Sequence, residues 1–271
     1  VADGDEVDSV FAEAYICIRL LKTIIKIINR GDMAQMAVCV LEQECRRRQI
    51  EVRAQELRKT RNSRIPWMSV ASDYPDPREC LAAFLVFGSA EVLNGVKPAN
   101  LVRISNRTFA CGRNMYALWH EYGAALMRES HLEAIPLVDG DSSTLLLLYD
   151  PVLLQRRLRS RSATAFLGSL GYPAPDTLET ILSHLSSRFE GRELPHEIGV
   201  FLGYPLKDVA AFMGRRELQV SSQRLWKIYG RARRSEALAD LYQEHHTRVA
   251  EQLRKRKGIS FNLWRGEACC A

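Results

Sequence analysis

The sequence has no apolar run approaching the roughly 18 to 20 residues needed to span a bilayer. Its nearest candidate, AYICIRLLKTIIKII, is interrupted by Arg19, Lys22 and Lys26. That segment lies behind an acidic start (Asp3, Asp5, Glu6, Asp8), the reverse of a signal peptide's basic leader. The cysteines, at 17, 39, 45, 80, 111, 269 and 270, are odd in number and form no C-x-x-C pair. That is neither a disulfide framework nor a zinc-site spacing. The expectation is a cytoplasmic protein of buried thiols with no membrane span. The adjacent Cys269 and Cys270 read either as a reactive pair or as an incidental tail sequence.

No nucleotide-binding glycine loop is present. GSLGYP and GRNMYALWHEYG have neither the G-x-G-x-x-G nor the Walker spacing, and no G-x-S-x-G elbow occurs. No cofactor and no metal are therefore expected.

What remains is ordinary globular composition, 46% hydrophobic and 26% charged, with a net charge of +6 that is unevenly spread. Residues 33–64 hold eight basic and four acidic groups, and residues 215–271 hold thirteen and six. The intervening chain is acidic to neutral. Two basic ends permit contact with the phosphates of nucleic acid without sequence preference, or with an acidic partner, and they equally suit solvated helix faces.

Hydrophobic periodicity divides the chain. Residues 10–30 and 33–62 read as two helices, the first with a basic stripe and the second charged nearly all round toward its end. IPWMSVASDYPDPREC then breaks any helix with Pro66, Pro75 and Pro77. This gives a helical N-terminal arm and linker (1–80), a mixed domain (81–258) and a tail (259–271). Within the domain, ECLAAFLVFGSAEVLNG is a helix closed by Gly95, and Asn114 can cap a helix over 114–130. LEAIPLVDGDSSTLLLLYD is the clearest hairpin. TLLLLY lacks alternation, so it is predicted to be a central strand covered on both faces. Pro151 starts a helix, and Ser235 can cap the closing helix, whose buried face is predicted to be Leu238, Leu241, Tyr242, Val249 and Leu253. The fold class is α+β: a small, mostly antiparallel sheet, with strands near 100–104, 132–138, 144–149 and 223–229, flanked by helices.

LPHEIGVFLGYPLKDVAAFMG, residues 194–214, is the most patterned stretch. Pro195 can take a first helical position, Gly203 a left-handed end, and Tyr204-Pro205 a corner before a second short helix. H-E-I-G-V departs from the H-E-x-x-H zinc motif, because Val200 stands where the second histidine should be. His196 and Glu197 point about 100° apart on a helix, so they form no acid–base pair by themselves. The unit has a helix-turn-helix skeleton. Its second helix, however, offers only Lys207 and Asp208 before apolar VAAFM, a poor surface for base edges.

This stretch resembles a bacterial family catalogued as domain of unknown function 3793. GVKPANLVRI (95–104), LLLLYDPVLL (145–154), FLGSLGYP (166–173), LPHEIGVFLGYPLKDVAAFM (194–213) and LWKIYG (225–230) carry the resemblance. It covers roughly residues 89 to 255. The chain departs from the expected pattern in having VSSQRL, without Cys or Gly, before the W-K-x-Y-G motif, and Arg231 after it in place of an acid. The resemblance implies a grouping by fold and no reaction.

Two functional readings follow. The first is a non-catalytic binding or adaptor module for a protein or small-molecule ligand. Its pocket would use Lys97, His196, Glu197, Tyr204, Asp208, Trp226, Lys227 and Tyr229: Lys97 to pair an anion, Tyr204 and Trp226 to stack, His196 to hydrogen-bond. The same residues also suit a core and two helix starts. The second is an enzyme with His196 as general base, which requires His196 to be accessible and bonded to Asp208 or Glu197.

Overall fold

The computed structural model describes residue 67 and residues 74–109, 112–174, 176–191, 194–255 and 260–265. All of them belong to the second of two units into which the chain divides, Ile65–Ala271. The helices expected over 10–30 and 33–62, and every cysteine except Cys80, lie outside the described residues. Among those residues no helix is long and apolar enough to cross a membrane.

Asp76 caps the first helix, α1 (Pro77–Leu93), by accepting from the Glu79 amide, with Pro77 in the first turn. β1 (Ala99–Ser105) follows, and then α2 (Met115–Arg128), whose cap is the expected Asn114, accepting from the Tyr116 and Ala117 amides. β2 (Glu133–Gly140) and β3 (Ser143–Tyr149) form the hairpin, and the three strands make an antiparallel sheet in the order β1-β3-β2.

The central position of β3 explains why its leucines do not alternate with polar residues. Leu146 and Leu148 point to one core with Val102 and Ile104, under α1 and α2. Leu145, Leu147 and Tyr149 point to the other, where α3 (Pro151–Leu158), α4 (Arg161–Gly168) and α5 (Leu178–Arg188) pack. Period-two alternation is intact, but both faces are dry.

The motif forms a single helical turn, α6 (Ile198–Phe201), and α7 (Leu206–Phe212). The entry is tighter than an α-helix. Ile198, Gly199 and Val200 donate to the carbonyls of Pro195, His196 and Glu197, an i to i+3 ladder, so Pro195 precedes the helix proper. The predicted strand near 223–229 does not join the main sheet. It is a separate hairpin of β4 (Val220–Gln223) and β5 (Lys227–Tyr229), turned by Arg224 to Trp226.

The long helix α8 (Arg233–Lys255) begins two residues before Ser235, which is buried inside it and is therefore not its cap. Leu241, expected on the buried face, is 38% exposed, while Ala239 and Tyr242 turn inward. Residues 260–265, read from sequence as tail, form α9 (Ser260–Arg265). Its Trp264 is wholly buried and donates from Nε1 to the Leu126 carbonyl at 2.7 Å.

Candidate functional site

The eight sequence-predicted residues fall into three groups. Asp208, in the first turn of α7, is the hub of the largest. Its buried carboxylate accepts from the Tyr229 amide at 2.9 Å, the Trp226 indole Nε1 at 3.0 Å and the neighbouring Lys207 ammonium at 2.6 Å. Burial alone would raise its pKa. Hydrogen bonds, led by that from Lys207, outweigh this and hold the carboxyl below its ordinary value. Trp226 stacks on Tyr204 with ring centroids 4.4 Å apart. The buried Lys97 ammonium lies 5.5 Å from the centroid of Tyr204 and 5.2 Å from that of Tyr242, and it donates to Asn100. Tyr229, Asp208, Trp226, Tyr204 and Lys97 are thus one continuous chain of contacts. It joins α7, β5, the 203–205 corner and the loop before β1.

His196 and Lys227 form a second, exposed group around Phe212. The imidazole meets the phenyl ring edge-on at 4.9 Å, and the Lys227 ammonium sits 5.8 Å from the ring centroid. Glu197 stands apart from both. Although adjacent to His196, it is buried, forms an ion pair with Arg188 and accepts from Tyr172 Oη at 3.3 Å. The acid–base reading needs His196 bonded to one of the two carboxylates. Both are committed to other partners, and no such bond is found among the described residues. Lys207 donates inward too, to Asp208 and the Tyr229 carbonyl, which engages two of its three N–H donors away from any DNA base. Among the described residues no group of three or more His, Cys, Asp or Glu side chains is placed to hold a metal ion.

Concave space occurs elsewhere. A cleft of about 680 Å³ opens where edge strand β2 meets α3 and α5. Ile135, Pro136, Val152, Leu178 and Leu182 give it apolar walls, and Gln155, Ser183 and Ser186 add neutral polar groups. Glu133 and Glu179 line it as well, and no basic residue does. Tyr149 lies directly opposite Glu133 in the sheet register and donates to Glu133 Oε2 at 2.6 Å. Burial, then the Glu133 hydrogen bond and the charges of Glu133 and Glu179, push the phenol's pKa well up, so it remains a donor at neutral pH.

A second cavity, of about 290 Å³, lies between the loop before β1, α3, the Gly203 corner and α8. Of the eight predicted residues, Lys97 lines it and none lines the larger cleft. Sequence reasoning missed Glu133, Tyr149, Glu179 and Arg157. The signal available for Tyr149 was its place as the polar-tipped end of an otherwise aliphatic strand.

The described residues have an α+β architecture, with a three-stranded sheet between two helical layers. The chain matches the model of the family described as protein of unknown function (DUF3793) over residues 85–261, and it belongs to that family. No curated protein and no solved structure matches it.

Proposed function

We propose that this protein is a non-catalytic binding module whose ligand occupies the cleft between β2, α3 and α5. The volume of that cleft carries the reading: about 680 Å³ lies within the range of sites that enclose a small molecule. Its lining sets the class. Apolar walls with two carboxylates and no cation favour a ligand with an aliphatic or aromatic body and a positively charged amine or guanidinium. The chain of contacts from Tyr229 to Lys97 acts in this reading as scaffold, fixing the motif against the β4–β5 hairpin.

Matched probes test it. Tryptamine and tyramine should raise the melting temperature where indole-3-acetate and 4-hydroxyphenylacetate do not, and Glu179→Gln should abolish the difference. Equal response to amines and acids would remove the charge argument. Ser183→Trp, which fills the cleft, should abolish the response entirely.

One observation favours a second reading. Residues 215–234 hold seven Lys and Arg against one Glu, and Phe212 at their edge is 46% exposed. A basic surface bearing an aromatic can bind single-stranded nucleic acid through phosphate contacts and stacking. Fluorescence anisotropy with a labelled oligonucleotide should then show binding that weakens steeply with salt. Binding insensitive to salt, or none at micromolar protein, rejects it.

A further inference from the structure

The smaller cavity differs from the cleft in charge. Lys97, Arg156, Arg157 and Tyr242 line it, together with glycine, proline and aliphatic residues, and no carboxylate does. Arg157 is its most informative member. This half-buried guanidinium donates from Nη2 to the Tyr204 carbonyl at 2.6 Å and from Nε to the Val200 carbonyl at 3.3 Å. Both are backbone carbonyls, one in α6 that also accepts from the Gly203 amide at 3.1 Å and one in the corner after it. A guanidinium has five N–H donors, and these two bonds supply no negative charge. Among the described residues Arg157 has no carboxylate partner. Burial lowers its pKa, with the Tyr242 phenol opposing, which marks the same strain of a cation drawn out of water without a counter-ion.

The surroundings do not neutralise it. The nearby buried acid, Glu91, accepts from Asn100 at 2.8 Å and faces His246 at 3.7 Å. Arg156, one residue earlier on α3, is exposed at the rim and likewise has no ion pair among the described residues. Tyr242 adds a hydroxyl, whose bond to the Gly203 carbonyl is long at 3.5 Å.

We infer that this cavity is an oxyanion site, in which Arg157, Arg156, Lys97 and the Tyr242 hydroxyl hold the phosphate or carboxylate group of a small ligand. Guanidinium forks match the geometry of both groups, and about 290 Å³ admits an inorganic oxyanion or the head of a small metabolite. The site is separate from the cleft proposed above and opposite to it in charge, so neither stands on the other. Bound there, an anion would tie α3 to the Gly203 corner through a single guanidinium.

The test is isothermal titration of the purified chain with inorganic phosphate and with succinate, at ionic strength held constant with sodium chloride. One or both should bind, and which one does identifies the group held. Arg156→Gln, at an exposed position that the fold does not use, should weaken binding about tenfold, the loss expected for one charge-assisted contact. Arg157→Lys should weaken it further while the circular dichroism spectrum is unchanged. Heat no greater than that of chloride dilution for either anion would overturn the inference. Wild-type affinity in Arg156→Gln would also overturn it, independently of any folding defect in the Arg157 variant.

Discussion

Tyr149 and Glu133 face each other across β3 and β2, and their side-chain hydrogen bond of 2.6 Å forms part of the wall of the larger cleft. The pair fixes one polar point in a cleft of mixed lining and holds the edge strand to the sheet beside the space a ligand would enter.

Tyr149→Phe should cost about 1 kcal/mol at neutral pH, the usual net value of one hydrogen bond whose acceptor can turn to water. The pH dependence carries more information. The phenol's folded pKa is raised above its ordinary value of 10.0. Its contribution is therefore complete below pH 10 and is lost as pH rises toward the folded value. Urea denaturation should show the wild type weakening relative to Tyr149→Phe above pH 10. Parallel curves from pH 8 to 11 would contradict this.

Asp208 has the opposite sign. Its folded pKa lies below the ordinary 3.8, so its stabilisation is present above that value and is lost as pH falls through the folded value. Asp208→Ala strands the Trp226 indole and the Tyr229 amide and leaves Lys207 without its carboxylate. It should cost about 3 kcal/mol at pH 7. Asp208→Asn should cost less, because its amide oxygen still accepts. The gap between wild type and Asp208→Asn should narrow below pH 4.

The register at Tyr149 shows where the sequence stopped being legible. The hairpin, its turn and the buried character of TLLLLY follow from composition and alternation. Counting back from the Asp141-Ser142 turn without interruption sets Tyr149 opposite Ala134. The strand slips by one residue between Pro136 and Val138, and this slip brings Glu133 there instead. Pro136 beside the slip marks an edge strand or a bulge without saying which, so the cleft's polar wall was not readable in advance. The motif was illegible for a different reason. Its aromatic and charged residues stand out in the sequence, but whether they serve a ligand or one another depends on contacts far along the chain, such as Asp208 with Trp226 and Lys97 with Tyr204.

Trp264 lies in the segment read from sequence as a tail, 259–271. It is one of the largest wholly buried side chains. Trp264→Ala should cost about 4 kcal/mol, as expected for emptying an aromatic site in a core. Trp264→Phe keeps much of the volume but leaves the Leu126 carbonyl without its donor, and should cost roughly half as much. Chemical denaturation of the two variants checks both values. Loss below 1 kcal/mol in Trp264→Ala would mean that α9 is not part of the cooperative core.

Gly203 and Gly214 provide a controlled comparison within the motif. Both have positive φ, +78° and +69°, at the ends of α6 and α7. A Cβ at Gly214 would meet nothing within 4 Å. At Gly203 it would lie 2.7 Å from Pro98 Cδ and 2.8 Å from Tyr242 Oη, inside any real contact distance. Gly214→Ala should therefore cost only the left-handed penalty, about 1 kcal/mol. Gly203→Ala adds the displacement of a proline ring and a buried tyrosine, and should cost about 3 kcal/mol or more in the same denaturation assay. Because Pro98 and Tyr242 both line the basic cavity, the same substitution should weaken any anion bound there, while Gly214→Ala leaves it unchanged. Equal losses of stability in the two variants would show that backbone strain, and not the close approach to Pro98 and Tyr242, dictates glycine at this corner.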